Sequence, residues 1–166
     1  MNKNITIPIA LVAVALLVLF LPVILLPYTV NMKSVENLTF ESSENFMIKE
    51  EKWFYPLKGQ VIPMGNETIP IGIAGQTYEI NFGRIPQNSS TRKFINLNSS
   101  NPAKTELYVS GNITPFMIFP QSLYIKGEEK MEIAFNGTEM GNFTGTLLIR
   151  NIIPKNVLAE RLMGLV

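Results

Sequence analysis

Residues 130–149, KMEIAFNGTEMGNFTGTLLI, contain the pattern from which the fold class follows. Over 131–135 the large apolar residues Met131, Ile133 and Phe135 alternate with Glu132 and Ala134. This period of two is typical of a β-strand with one buried face. The segment NGTEMGN (136–142) is rich in turn-forming residues, and the apolar run resumes in 143–149. The stretch therefore predicts two antiparallel strands joined by a turn.

The same pattern continues upstream. Short apolar runs separated by Gly, Pro, Asn and Ser occur at 77–82, 93–97, 105–111, 116–119 and 123–125. This spacing predicts an all-β fold, an antiparallel β-sandwich of seven to eight strands over 58–153. That length is close to the roughly 100 residues of an immunoglobulin-type sandwich.

Two segments carry a family resemblance. INFGRIPQNSSTRKFINLNSSNPAKTELYVSG (80–111) has a strand ending in Phe82-Gly83, a Ser-rich turn and a strand before an Asn turn at Asn98. KMEIAFNGTEMGNFTGTLLI ends in a Gly-x-Phe-x-Gly-x-Leu-x-Ile strand over Gly141–Ile149. Together they resemble the Ig-like domains of the abnormal-spindle/hydin (ASH) and major-sperm-protein type, which implies an Ig-like sandwich and no particular activity. The turn at 136–142 lacks the prolines common there in that family.

The N-terminus is apolar. Residues 5–30 contain no charged side chain, and about 20 apolar residues suffice to cross a bilayer. We expect residues 1–30 to act as an uncleaved signal-anchor with one transmembrane helix over about 5–27, ending or kinked near Pro22 and Pro27. A cleaved signal peptide is the alternative, although its apolar region would be shorter and end in a small-x-small site.

The flanking charges and the Asn-x-Ser/Thr sequons predict the orientation. Lys3 precedes the apolar segment, and acidic residues outnumber basic ones after it, so we expect a cytoplasmic N-terminus and an extracellular remainder. Eight sequons occur where chance predicts roughly two, and seven follow the anchor. The candidate glycosylation sites are Asn37, Asn66, Asn88, Asn98, Asn112, Asn136 and Asn142.

Composition excludes several kinds of chemistry. The formal charge is only +1, so a strongly basic nucleic-acid binder is excluded. The chain has no Cys and no His, and all 13 acidic residues are Glu. Catalytic triads, thiolate or imidazole metal sites and acidic calcium loops therefore have no residues to build them. We expect a non-enzymatic protein without catalytic residues, metal, cofactor or small-molecule substrate. Many sequons without disulfides favour an archaeal cell surface.

Two further segments are candidate partner contacts. Residues 31–57 read as a polar stalk ending in the aromatic cluster Trp53, Phe54 and Tyr55, which either binds a partner or closes the end of the sandwich. Over 154–166, Asn156 is placed as N-cap of a short amphipathic helix from Val157, with Leu158, Leu162 and Leu165 on one face.

Such a short helix is unstable alone and must dock on its own sandwich or on a partner. A seven-strand sandwich places its first and last strands so that the chain ends lie at opposite ends. We therefore expect the C-terminal helix at the membrane-distal end.

The expected function is that of a membrane-anchored surface protein whose Ig-like domain contacts the envelope or another surface or membrane protein. The alternative is a secreted subunit of an extracellular filament or surface assembly, whose strands add to a neighbour's sheet edge.

Overall fold

Within the part of the chain that the structure describes, eight strands form one continuous, folded-over sheet. The computed structural model describes residues 12, 14–21, 29–35, 38–64 and 79–164. The described strands are β1 (Thr29–Val35), β2 (Leu38–Glu44), β3 (Ile48–Ile62), β4 (Ile80–Pro86), β5 (Ser90–Gly111), β6 (Met117–Ile118), β7 (Ser122–Asn136) and β8 (Gly141–Pro154). Helical structure comprises residues 12 and 14–21 (α1), a 3-10 turn at Thr114–Phe116 and α2 (Val157–Leu162). The predicted all-β class is confirmed.

The centre of the sheet is the antiparallel pair β3–β8. The strand order is β1-β2-β3-β8-β5-β7-β6. On the edge of β3 that faces away from β8, β2 pairs with the first part of the strand and β4 pairs with the last part. The β3–β4 pair is parallel, so the sheet is mostly but not wholly antiparallel.

A bend in the β5–β7 ribbon produces the second layer. β5 pairs with β7 along both of its halves, but the four steps of β5 from Ser99 to Ala103 lie opposite only two steps of β7, from Gly127 to Ile125. This irregularity acts as an enlarged β-bulge, which bends a strand. Gly127 has a positive φ of 86°, and the Ser99 hydroxyl donates to the Asn101 carbonyl. The segments around NSSNPAK and KGEE, predicted as loops between separate strands, are therefore bends within two long strands.

The core lies between the two layers. Phe135 of β7 is fully buried and packs above Gly59 of β3, where a Cβ would lie 2.7 Å from its ring. Its ring contacts Phe82 and Phe143 at centroid distances of 5.4 and 5.8 Å. Gly59 leaves room for an aromatic ring between facing strands, which is one reason for a glycine inside a strand. The result is a sandwich-like fold with a single aromatic-rich core.

The prediction of a polar stalk over 31–57 is wrong wherever the structure describes that segment. β1, β2 and the first part of β3 occupy it, and they extend the sheet beside β8. The many polar residues of 31–57 belong to strands with one solvent-exposed face. Charged residues at alternating positions are typical of such strands.

The predicted N-terminal span is described only in part. Residues 12 and 14–21 are helical and their side chains are exposed. Among the described residues, no helix has both the length and the apolar character needed to cross a membrane. The remainder of the predicted span, at 5–11, 13 and 22–27, lies outside the described residues.

Gly145 of β8 provides a test of the close strand packing. It lies opposite Gly111 of β5, and a Cβ there would meet the Ser110 carbonyl oxygen and lie 2.5 Å from Ile113 Cγ2. We expect Gly145→Ala to lower the free energy of unfolding by about 3 kcal/mol, because backbone cannot move aside as a flexible side chain can. Urea unfolding would measure it.

Gly127→Ala is the matched control for Gly145→Ala. A Cβ at Gly127 meets nothing within 4 Å, so its cost comes from the positive φ alone and is about 1–2 kcal/mol. Equal losses in the two variants would contradict the packing explanation.

Candidate interaction surfaces

The aromatic cluster predicted as one contact surface is divided between two faces of β3. Trp53 and Tyr55 pack against the core, and Trp53 meets the Phe40 ring at a centroid distance of 4.2 Å. Burial raises the pKa of the Tyr55 phenol. Phe54 lies on the opposite face because successive strand residues alternate. The three rings therefore do not form one platform.

The outer face of the sheet carries a row of charges across four strands. Glu41, Lys52, Arg150 and Glu106 are direct cross-strand neighbours on β2, β3, β8 and β5. Arg150 donates from Nε to Glu50 at 2.8 Å and from Nη1 to Glu106 at 3.0 Å. Cross-strand ion pairs of this kind stabilise one register over its alternatives.

The ionisation of this row follows from its contacts. Partial burial by itself raises the pKa of Glu50, but the hydrogen bond and charge of Arg150, with a contribution from Lys52, outweigh it and lower that pKa. The hydrogen bond from Lys104 lowers the pKa of Glu106 despite desolvation, with help from Tyr108 and Arg150. The hydrogen bond to Glu50 in turn raises the pKa of Arg150. Glu50, Glu106 and Arg150 are therefore held in their charged forms at neutral pH.

The C-terminal helix α2 begins where the sequence predicts. Asn156 is its N-cap, and its Oδ1 accepts from the Ala159 N–H at 2.9 Å. The helix lies on the sheet through Ala159, which is 1 % exposed, whereas Leu158 and Leu162 are 61 % and 72 % exposed. The helix docks on its own sandwich, but not through the leucine face. Leu165, the third predicted contact of that face, lies outside the described residues.

The position of α2 corrects the expectation that the chain ends lie at opposite ends of the sandwich. Thr29 pairs with Glu44, Glu44 with Lys49, and Lys49 with Ile153. The first residue of β1 and the last residues of β8 are therefore at the same end of the sheet, three strand spacings or about 14 Å apart. We call this the α2 end; it also contains the β2–β3 turn at residues 45–47.

The opposite end, here the turn end, holds the turns at 87–89, 112–116 and 137–140. Four of the candidate glycosylation sites lie in or beside these turns: Asn88, Asn112, Asn136 and Asn142. Asn136 is half-buried and the other three are exposed.

The remaining candidate sites are placed differently. Asn98 is exposed next to the bend of β5, opposite Glu128. Asn37 and Asn66 lie outside the described residues.

Asn112 also has a structural role at the turn end. Its Oδ1 accepts from the Thr144 N–H at 2.7 Å, and its Nδ2 donates to the Asn142 carbonyl at 3.3 Å. The hydroxyl of Thr114, the third sequon residue, donates to the Gly111 carbonyl at 2.9 Å. The side chains of this sequon therefore close the turn after β5.

The described surface offers shallow grooves of mixed charge. One groove separates α2 from the sheet and is lined by Glu44, Lys49 and Lys155, among others. Among residues 12, 14–21, 29–35, 38–64 and 79–164, no group of three or more acidic, His or Cys side chains could hold a metal ion.

Comparison with known proteins adds no assignment. No family model matches the chain, and neither a curated protein nor a solved structure matches it. The surfaces described above are therefore interpreted from their own chemistry.

Arg150 provides a test of the charged row. Because the folded-state pKa values of Glu50 and Glu106 lie below the ordinary 4.5, both carboxylates stabilise the fold above that pH. That stabilisation is lost as the pH falls through the lowered values. We expect Arg150→Met to lower the free energy of unfolding at pH 7 by about 1–2 kcal/mol and to weaken the acid dependence. Thermal unfolding from pH 7 to pH 3 would measure both.

Arg92→Met is the control for Arg150→Met. Arg92 pairs with Glu132 at 3.0 Å, but its side chain is 65 % exposed, so we expect a change within about 0.5 kcal/mol. An unchanged acid dependence in Arg150→Met would contradict the role given to the row.

Asn156 provides a test of the helix cap. We expect Asn156→Ala to destabilise α2 by about 1 kcal/mol, since the Ala159 N–H loses its acceptor. Amide hydrogen exchange at Ala159 should accelerate accordingly. Asn156→Asp keeps an acceptor oxygen and should retain most of the protection, so equal exchange in both variants would refute capping by this side chain.

Proposed function

We propose that this chain is a non-enzymatic, membrane-anchored cell-surface protein whose β-sandwich contacts the envelope or another surface protein. The observation that carries the proposal is the uncharged segment 5–30 directly before the sheet. A run of that length can cross a bilayer as one helix. The short N-terminus carrying Lys3 would then remain cytoplasmic and the sandwich would be extracellular.

The sequons support an extracellular sandwich. Their number exceeds chance roughly fourfold, and Asn88, Asn98, Asn112 and Asn142 are exposed on the described surface. An exposed acceptor is what glycan attachment requires. We infer a glycoprotein, and the combination of many sequons with no cysteine favours an archaeal surface.

We interpret the sandwich as an Ig-like domain of the ASH or major-sperm-protein type. The proposal rests on the segments 80–111 and 130–149, and the mostly antiparallel, sandwich-like sheet is compatible with it. Domains of this shape serve as binding modules in many contexts, so the fold supports a contact function without naming the partner.

The outer sheet face is the surface we assign to a protein partner. Phe54, Leu148 and Tyr108 are direct neighbours across β3, β8 and β5, next to the charged row, and Tyr108 is 50 % exposed. An aromatic patch beside paired charges combines apolar contact area with polar specificity, as protein interfaces do. Trp53 and Tyr55 would support this face from the core side.

Carbonate extraction of membranes from cells producing the full chain tests the anchor. We expect the protein to stay in the membrane pellet. Leu17→Asp combined with Leu21→Asp should release it, because each charge at the centre of a span costs about 3 kcal/mol. Met140→Asp, at an exposed position of the turn end outside every sequon, is the matched control and should be retained. Release of the unmodified chain by carbonate would refute the anchor.

One observation favours the alternative of a released assembly subunit. β1 is the terminal strand in the described sheet order and pairs with β2 alone among the described strands. A free strand edge can accept a strand from another chain. Two observations would support this alternative over the anchored form. One is filaments in the medium, and the other is an intact mass showing that the mature chain begins after Val30.

A further inference from the structure

We infer that α2 and the β2–β3 turn together form a lipid-contacting surface that holds the sandwich against the membrane beside its own anchor. This inference rests on the proposed anchoring. It concerns the α2 end, where four large apolar side chains are exposed. These are Val157, Leu158 and Leu162 of α2 and Phe46 of the turn, with exposed fractions of 62 %, 61 %, 72 % and 68 %.

The exposed side chains of α2 form one face. At about 100° per residue, Val157, Leu158, Arg161 and Leu162 fall within a sector of about 140°, and Ala159 points the other way onto the sheet. An apolar face that includes or borders a basic residue is typical of helices that lie in the headgroup region. Arg161 is exposed and can extend its guanidinium toward phosphates while its stem stays among the leucines.

Phe46 belongs to the same surface through direct contacts between the turn and the start of α2. The Lys155 N–H donates to the Met47 carbonyl at 2.8 Å, and Asn156 Nδ2 donates to the Phe46 carbonyl at 3.5 Å. Asn45 holds the turn by accepting from the Met47 and Ile48 N–H groups, both at 2.8 Å. Turn and helix thus present their apolar side chains from one rigid unit.

The route of the chain selects a membrane as the occupant. The sheet begins at Thr29, directly after the apolar segment, and Thr29 lies about 14 Å from Ile153 across three strand spacings. If segment 5–27 spans the bilayer, Thr29 lies near the bilayer surface. Because Thr29 is at the α2 end of the sheet, that end also lies near the bilayer surface. A separate protein partner would have to fit into this narrow space between sandwich and bilayer.

Four of the five candidate glycosylation sites that the structure describes have positions consistent with that orientation. Asn88, Asn112, Asn136 and Asn142 lie at the turn end, far from the proposed lipid contact. Glycans are bulky and hydrated, and at the α2 end they would be forced against the headgroups. Asn98 is the exception, because the bend of β5 beside it lies at the α2 end, where Asn101 lines the groove next to α2.

The contact would depend on apolar insertion more than on charge. Lys155 pairs with Glu44 at 3.4 Å, and Lys49 pairs with Glu51 at 2.6 Å, so this end does not carry a strong excess of basic charge. A helix of six residues is also small against the roughly 800 Å² per partner of a stable protein interface. Beside a covalent anchor, a weak lipid contact is enough to set the tilt of the sandwich.

The test uses the full chain in vesicles of phosphatidylcholine with a minority of phosphatidylglycerol. Because the chain has no cysteine, Leu158→Cys and Phe46→Cys each give a single attachment site for a nitroxide. Glu139→Cys, an exposed position at the turn end, is the matched control. Oxygen concentrates in the bilayer and a water-soluble nickel chelate does not. We expect the ratio of oxygen to nickel collisions to be several-fold higher at positions 158 and 46 than at 139.

The outcomes separate this inference from the proposed anchor. If the chain resists carbonate extraction but the collision ratios at positions 158, 46 and 139 are equal, the lipid contact is overturned and the proposed anchor is retained. Release by carbonate overturns the anchor. Labels at 158 that are shielded from both reagents and broadened by spin–spin coupling would show a second copy on this face, which also overturns the inference. Trp53 fluorescence compared with the unmodified chain confirms that each variant is folded.

Discussion

The antiparallel pairing of β3 with β8 is the constraint on which the rest of the structure depends. Fourteen register pairs join the two strands, from Ile48 opposite Pro154 to Val61 opposite Gly141. Because β1 and β2 precede β3 in the chain and pair beside it in the sheet, their register is tied to that of β8. The same pairing brings Glu50 beside Arg150 and brings the start of β1 to the end where α2 begins. A slip of one residue would reverse the faces of all these side chains.

Features that depend on neighbouring residues were predictable from the sequence. The strand over 131–135 and the cap at Asn156 reflect local geometry, and the structure confirms both, although Ala134 is buried along with Met131, Ile133 and Phe135. The stalk over 31–57 was wrong because polarity alone does not distinguish an exposed segment from a strand with one wet face. The Ser, Asn and Pro residues near Asn101 predict a loop, but the structure has a bend within β5, because these residue types favour loops and strand bends alike.

Features that depend on register could not be read from the chain. Glu50 and Arg150 are 100 positions apart, and only the β3–β8 pairing brings them together. The sequence could have indicated that Glu50 and Arg150 each lie on the outer face of a strand, because charged side chains favour the solvent-exposed face. The division of Trp53 and Phe54 between two faces could have been anticipated from the period of a strand. The shared location of β1 and α2 could not, because it requires knowledge of the strand order.

The place of β3 and β8 along the chain has a consequence for synthesis. Among the described strands, β3 is one of the first to be made and its central partner β8 is the last, and contacts between distant residues form slowly. Until β8 has been synthesised, β3 has a free edge toward the middle of the sheet, and such edges favour aggregation. The hairpin with β2 covers the first part of its other edge in the meantime, and β4 later covers the last part. Completion of the sandwich is therefore a late step that follows synthesis of residues 141–154.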